Sequence, residues 1–239
     1  MEKSFNQLLN KRRSVRIFKQ KKINSAKVKE CIFNATLAPN SSNLQLWEFI
    51  HICDKNTLKK IAKACFNQNA AKTAQQIVVV IVRKDLWKKR AKQNLDHLKH
   101  ELEKNEITEK RFKKANNYYS KLIPFLYTDF FGLLSFLRVV LVQTIGLFRP
   151  IYRQVKHLDK RIIAHKSTAL AAQNFMLSMT SIGYATCPME GMDTHMVKKI
   201  LNLTSKSEIN MIIGCGISDE KGVYAKRFRI PFENVYKYI

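Results

Sequence analysis

The chain switches repeatedly between a helical and a strand-like rhythm of apolar residues. Phe5, Leu8 and Leu9 recur at helical spacing over residues 4–12. Val28, Cys31, Ile32 and Ala35 do so over residues 25–37, with Ser25 placed as an N-cap. Trp47-Glu48-Phe49-Ile50-His51-Ile52 then reads as a strand, residues 56–65 as a helix and residues 67–75 as a further one. Ile77 to Val82 is an unbroken apolar run. Such a run is buried on both faces, so a central sheet covered by a layer on each side is expected. Residues 85–116 read as one long charged helix. Asp159 to Ile182 is helical again, with Ala164, Ser167, Thr168, Ala171 and Ala172 permitting close contact and Gly183 ending it. A helix capped by Asp193 or Thr194 and a strand from Glu208 to Ile217 follow. The last five residues, Val235-Tyr236-Lys237-Tyr238-Ile239, alternate like a strand seeking a sheet edge.

Leu122 to Phe148 breaks this rhythm, being apolar except at Asp129 and Arg138. A bilayer span wants about 20 apolar residues, and an arginine near its middle costs roughly 2.5–3.5 kcal/mol. Gly132, Ser135, Arg138, Gln143 and Gly146 add a narrow small or polar stripe at helical spacing. Three readings stand: a helix packed as a lid or along a dimer, a peripheral membrane contact through 122–148, and a true span. The stripe and the central charge favour the first.

Composition narrows the class. Hydrophobic content of 46% with 26% charged residues describes a globular protein, and seven glycines leave no flexible linker to divide it. The net charge of +25, from 43 basic and 18 acidic residues, attracts polyanions such as nucleic acid, anionic lipid or a phosphorylated cofactor. The lysines are spread along the chain without any nucleic-acid-binding signature, so no nucleic acid is expected as a partner. Lys3 is followed by polar residues in place of a secretory leader. Five scattered cysteines without a CxxC pair argue for reduced thiols in a cytoplasmic setting and against zinc. His97 and His100, flanked by Asp96 and Glu101, read as a solvated helix face, so no metal is expected.

Three stretches carry candidate chemistry. In Arg12-Arg13-Ser14-Val15-Arg16, an extended backbone would point Arg12, Ser14 and Arg16 the same way. Guanidinium forks suit phosphate, at roughly 1.5–3 kcal/mol for each charge-assisted bond. Taken alone, the five residues read more readily as an ordinary basic surface turn. Pro39-Asn40-Ser41-Ser42-Asn43-Leu44-Gln45 is a loop dense in hydrogen-bonding groups. Cys187-Pro188-Met189-Glu190-Gly191 precedes the late helix, and Arg227 and Arg229 trail near the end. Gly214-Cys215-Gly216 lacks the third glycine and the following helix of a dinucleotide fingerprint.

In order and spacing these motifs resemble those of the FMN-dependent nitroreductase family: RRSVR with Phe18, AP-x-SSN-x-Q-x-W-x-F, P-x-EG, then R-x-R-x-P. The resemblance covers residues 4–83 and 160–239. Leu46 stands where the family usually has proline. The resemblance implies a single α+β domain over 1–239, with a mostly antiparallel central sheet flanked by helices and a variable helical lid at about 84–158. It also implies a homodimer with C-terminal strand exchange. Arg12, Arg13 and Ser14, with Arg227 and Arg229, would hold the FMN phosphate and ribityl chain. Arg16 would lie near flavin N1 and O2. Pro39, Ser41, Ser42, Asn43 and Gln45 would come from the other subunit. Pro188, Met189, Glu190 and Gly191 would meet flavin N5. Asn69 and Lys72 match an Asn-x-x-Lys pattern, one residue short of the expected spacing to the Val78 strand. NADH or NADPH would be the donor and an electron-poor small molecule the acceptor, with no protein nucleophile required. Cys187 reads as a buried, inert thiol. A flavin-fragmenting or dehalogenating relative and a polyanion- or membrane-surface-binding protein on the same scaffold remain the other readings.

Overall fold

The computed structural model of the chain describes residues 4–128 and 133–239. In chain order the helices are α1 (Phe5–Lys11), α2 (Ser25–Ala35), α3 (Lys55–Ala64), α4 (Asn69–Lys72) and α5 (Trp87–Glu103). After them come α6 (Glu109–Asn117), α7 (Ile123–Tyr127), α8 (Leu133–Ile145), α9 (His157–Ser181) and α10 (Thr194–Ile200). The strands are β1 (Trp47–Ile52), β2 (Gln76–Val82), β3 (Ala185–Met189) and β4 (Glu208–Gly216). They form one antiparallel sheet in the order β1-β2-β4-β3, which makes the fold α+β as expected.

The unbroken apolar run is the centre of that sheet. All seven residues of β2 are buried, and the strand is paired along both edges. Ile77, Val79 and Ile81 face a layer that includes Ile61 and Ala64 of α3 and Val197 of α10. Val78 and Val80 face Val28, Cys31 and Ala35 of α2 and Ala171, Ala172, Phe175 and Met179 of α9. The small residues of α9 let it lie close to the sheet and to α2, and Gly183, at φ +84°, ends it. The glycines of β4 serve packing. A Cβ on Gly214 would stand 2.6 Å from the Ala70 carbonyl, and one on Gly216 would stand 2.8 Å from Phe18. Their absence of side chains seats the buried Phe18 against the end of the sheet.

Several boundaries differ from the sequence reading. Asn24, not Ser25, caps α2, accepting from the backbone of Ala26 and Lys27. The helix read over 67–75 shrinks to α4, because Phe66 and Asn67 adopt left-handed backbone. The single charged helix is two: α5 closes before Asn105 (φ 60°), and Thr108 caps α6 through the Arg111 amide. Ile107, buried between them, is the one apolar residue in that break and pulls it inward. The chain near Pro188 is a true edge strand, β3, where the missing N–H of proline is tolerated. Val235 to Ile239 form no strand within the subunit and lie exposed.

The apolar 122–148 stretch folds into α7 and α8, entered through a π-helical turn at Tyr118–Leu122. Of the stripe, Ser135 and Arg138 are buried against the protein, whereas Gly132 and the flanking Asp129 lie outside the described residues. Phe136, Leu137, Val140 and Leu141 face outward. Among the described residues no helix is long and apolar enough to cross a membrane.

Candidate active site

The arginine motif leaves α1 in extended conformation and is stitched to the sheet. Ser14 bridges Thr186 on the free edge of β3, and the Val15 amide donates to the Thr186 carbonyl at 3.0 Å. The Arg16 amide donates to Gly222 at 2.7 Å and the Lys19 amide to Ile217 at 2.9 Å. Val15 and Phe18 turn into the core. Alternation about Val15 sends Ser14 and Arg16 outward into a groove of about 480 Å³, which Arg12, Arg13, Arg227 and Arg229 also line, and the period breaks before the buried Phe18. A second cavity of about 350 Å³ shares Ser14, Arg16 and Tyr224 with the first and extends to Asn69, Pro188, Met189 and Glu190. The two make one continuous depression between the arginines and β3.

Within it the arginines divide their work. Arg227 Nη2 donates to the carbonyls of Leu9 (3.2 Å), Asn10 (3.0 Å) and Arg12 (2.5 Å), satisfying the open C-terminal end of α1. Arg13 holds the Ala225 carbonyl at 2.6 Å. Arg16 stacks over the Tyr224 ring at 5.4 Å, and the Tyr224 hydroxyl accepts from Asn69 at 3.0 Å. Among the described residues none of the five guanidinium groups is paired with a carboxylate. Burial, then the like charges of Arg227, Arg229 and Arg13, push Arg12 below its ordinary pKa. Positive charge so concentrated is complemented by a bound polyanion.

The Ser-Asn loop is also built, but elsewhere in the subunit. Ser42 (φ 56°), Asn43 (φ 47°) and Gln45 (φ 48°) all sit in the left-handed region, at a cost of order 1–3 kcal/mol each. Clamps hold them there. Asn43 and Asn94 of α5 exchange two hydrogen bonds of 2.8 Å each, and Tyr119 donates to the Ser42 carbonyl at 3.1 Å. The hydroxyls of Ser42 and Tyr118 lie 2.7 Å apart. Asn40 accepts from the Gln45 amide at 2.8 Å, and Ser167 of α9 accepts from the Ser41 amide at 3.2 Å. Leu46 is buried beside Leu44, Val82 and Ile123, and so ties the loop to α7.

Within one chain the structure therefore joins Arg12, Arg13, Ser14, Arg16, Arg227 and Arg229 to Asn69, Pro188, Met189 and Glu190. Gly191 adjoins them, its carbonyl accepting from Gln68 at 2.7 Å. Ser41 and Ser42 line a different cavity, under α7. Exposed Pro39 and Asn43 and half-buried Gln45 belong to that same loop. Lys72 faces away, into a cavity with Gln20 and Lys22. Cys187 is buried, and desolvation pushes its thiol up despite Arg16 nearby, which fits an inert thiol. The sequence reading missed Tyr224, Gln68, Asn94 and the Tyr118-Tyr119 pair. Only the tyrosine pair left a signal, as adjacent aromatic residues in a polar segment.

The family model for the nitroreductase family matches residues 9–217. The Bacillus subtilis protein MhqN, named for an NAD(P)H nitroreductase, is 25% identical over 98% of each chain. A solved Staphylococcus epidermidis structure described as an NAD(P)H:FMN oxidoreductase superposes at TM-score 0.73 with 20% identity, over 100% of this chain and 98% of that one. An Exiguobacterium sibiricum nitroreductase solved with FMN gives TM-score 0.70 and 19% identity over 99% and 98%. The chain belongs to the nitroreductase family, and is thus an FMN-dependent NAD(P)H oxidoreductase.

The residues present fit that cofactor. An uncompensated guanidinium cluster beside the Ser14 hydroxyl matches a phosphate ester on a polyol chain.

Proposed function

We propose that the chain works as a homodimer that takes hydride from NADH or NADPH and passes it, in ping-pong order, to an electron-poor acceptor such as a nitroaromatic or a quinone. The observation that carries this reading is the division of the site. The arginine groove opens onto Pro188–Glu190, while the strained Ser42–Gln45 loop stands apart in the same subunit. A second copy would supply its loop to the first copy's groove. Bound FMN supplies hydride acceptance and release at N5. Arg12 and Arg229 would hold its phosphate, Ser14 would donate to the ribityl hydroxyls, and the charge of Arg16 would favour the reduced, anionic flavin. Backbone groups of Glu190 and Gly191 would orient the ring, and the loop of a second copy would cover it and exclude water. No side chain in the groove is required as a nucleophile.

Anaerobic reduction of the purified protein by each nicotinamide, followed by nitroarene and quinone acceptors, tests this. Bleaching of the flavin by nicotinamide and its recovery with acceptor are expected. Mass spectrometry of the heat-released cofactor is expected to show FMN. Release of FAD, or failure to take up FMN on reconstitution, would refute the site assignment.

One observation favours an additional role for the lid. The outward face of α8 is apolar over several turns, and Arg149 and Arg153 follow it on a chain of charge +25. That pattern suits contact with an anionic membrane surface. Flotation with phosphatidylserine vesicles, compared with the Leu141→Ser variant, tests it.

A further inference from the structure

Lys160 is the most unusual side chain outside the flavin groove. It sits on α9 with 3% of its surface exposed. Its ammonium donates to the Gln154 carbonyl at 2.7 Å and, at 3.4 Å, to the Tyr152 hydroxyl, whose ring it also overlies at 4.6 Å. Among the described residues it pairs with no carboxylate. An ammonium has three protons to give, so one remains for a further acceptor.

Two chambers meet at this residue. The first, about 340 Å³, is apolar and aromatic, with Leu122, Phe125, Val142 and Ile151 in its wall together with Ser41 and Ser42. The second, about 570 Å³, carries Arg138, His157 and Lys206. Its two acids are already engaged, Asp85 by Arg83 and Glu208 by Arg161 and His165. Leu126, Tyr127 and Lys160 line both. An apolar chamber that ends at a buried, singly available cation describes its ligand closely. The body is hydrophobic, and the head is an oxygen anion of one charge.

We propose that this chamber is the acceptor-recognition site and that Lys160 selects acceptors with an aromatic or acyl body and a singly charged oxyanion, a carboxylate or a phenolate. The proposal rests on the assignment of Ser41–Gln45 as the loop over the flavin, since two residues of that loop, Ser41 and Ser42, line the chamber and would bring it beside the reacting ring. Lys160 is a specificity residue here and takes no part in hydride transfer.

Burial, assisted by Arg138 and opposed by Asp159, lowers Lys160 to about 8. The charged and titratable groups around it are Asp159 on its own helix, Arg138 from α8, Tyr127 from α7 and Tyr152 from the loop. His157, Lys84, Asp85, Lys206 and Glu208 lie across the second chamber. The selecting charge is therefore present below pH 8 and lost above it.

The test compares 4-nitrobenzoate with its methyl ester as acceptors for the FMN-loaded enzyme. The ratio of their kcat/KM values cancels the shared nicotinamide step. It is expected to favour the acid at pH 6.5, to fall across pH 8, and to drop at least tenfold in Lys160→Met, with no pH dependence left. Lys160→Met removes the cost of burying an ammonium but leaves the Gln154 carbonyl without its donor, and thermal unfolding of the FMN-loaded variant checks that it folds. The non-reducible probe 1-naphthoate, titrated into both proteins, is expected to bind at least tenfold more weakly to the variant. A ratio unchanged in Lys160→Met overturns the acceptor assignment, even if naphthoate binding changes. Naphthoate binding that ignores Lys160 overturns the anion site itself. Should neither nitro compound be reduced, the acceptor reading proposed above fails separately, and the naphthoate titration alone decides on Lys160.

Discussion

Arg227 and Arg229 stand two residues apart and do different things. Arg227 is committed to three carbonyls at the end of α1, whereas the protein-side bond of Arg229 goes to its neighbour Phe228 at 2.7 Å. Arg229→Ala is therefore expected to weaken FMN binding by about 1.5–3 kcal/mol, ten- to a hundredfold, without lowering the stability of the apoprotein. Relief of like-charge repulsion on Arg12 works in the apoprotein's favour. Arg227→Ala is expected to lower apoprotein stability by about 1 kcal/mol, because α1 loses its C-terminal partners. Flavin titration and thermal unfolding of both apoproteins separate the two roles. The convergence of Arg12, Ser14 and Arg16 was legible because strand alternation is local. The commitment of Arg227 was not, since it depends on a helix end over two hundred residues away in sequence.

At the scale of elements, the excursion from α5 to α8 does more than cover the sheet. It holds the Ser42–Gln45 loop in its strained shape through Asn94, Tyr118 and Tyr119. Asn94→Ala removes both hydrogen bonds to Asn43 and is expected to cost about 1–2 kcal/mol of stability. In the proposed dimer, flavin release should also quicken several-fold, as the loop relaxes toward ordinary backbone. Stopped-flow dilution into a flavin trap measures that rate. An unchanged rate would show that the clamp serves the lid alone. β1, β2 and β4 and the helices α2 and α9 were legible here because their apolar periods are strong, whereas the short edge strand β3, interrupted by Pro188, was not. The break between α5 and α6 was not, because it depends on Asn105 turning left-handed and Ile107 finding a buried place. Both are matters of tertiary packing. The same holds for α4, which shortens because Phe66 and Asn67 bend the chain.

For the whole molecule, the exposed C-terminal segment is the feature to explain. Phe232, Val235, Tyr236, Tyr238 and Ile239 all face solvent in the subunit, an unfavourable display unless a partner covers them. Removing residues 232–239 is expected to weaken the dimer and reduce FMN occupancy together. Light scattering and flavin absorbance of the truncated protein check this. A fully yellow, dimeric truncation would remove the segment from the interface. The sequence announced this segment through its alternation, yet alternation cannot say whose sheet edge receives it. In the subunit it stays unpaired.

The sheet order has a consequence for synthesis. β2, buried along its whole length, pairs on one side with β1 just before it and on the other with β4, which is among the last elements made. At roughly 5–20 residues per second, a ribosome takes on the order of ten seconds to pass from one strand to the other. Throughout that interval the nascent chain carries an open edge of Ile77 to Val82. Val15 and Arg16 also wait for Thr186 and Gly222 before the arginine groove, the proposed flavin site, can close. The cofactor therefore cannot serve as an early folding template. It can reward only a chain that is nearly complete, and until then the exposed edge is the business of chaperones.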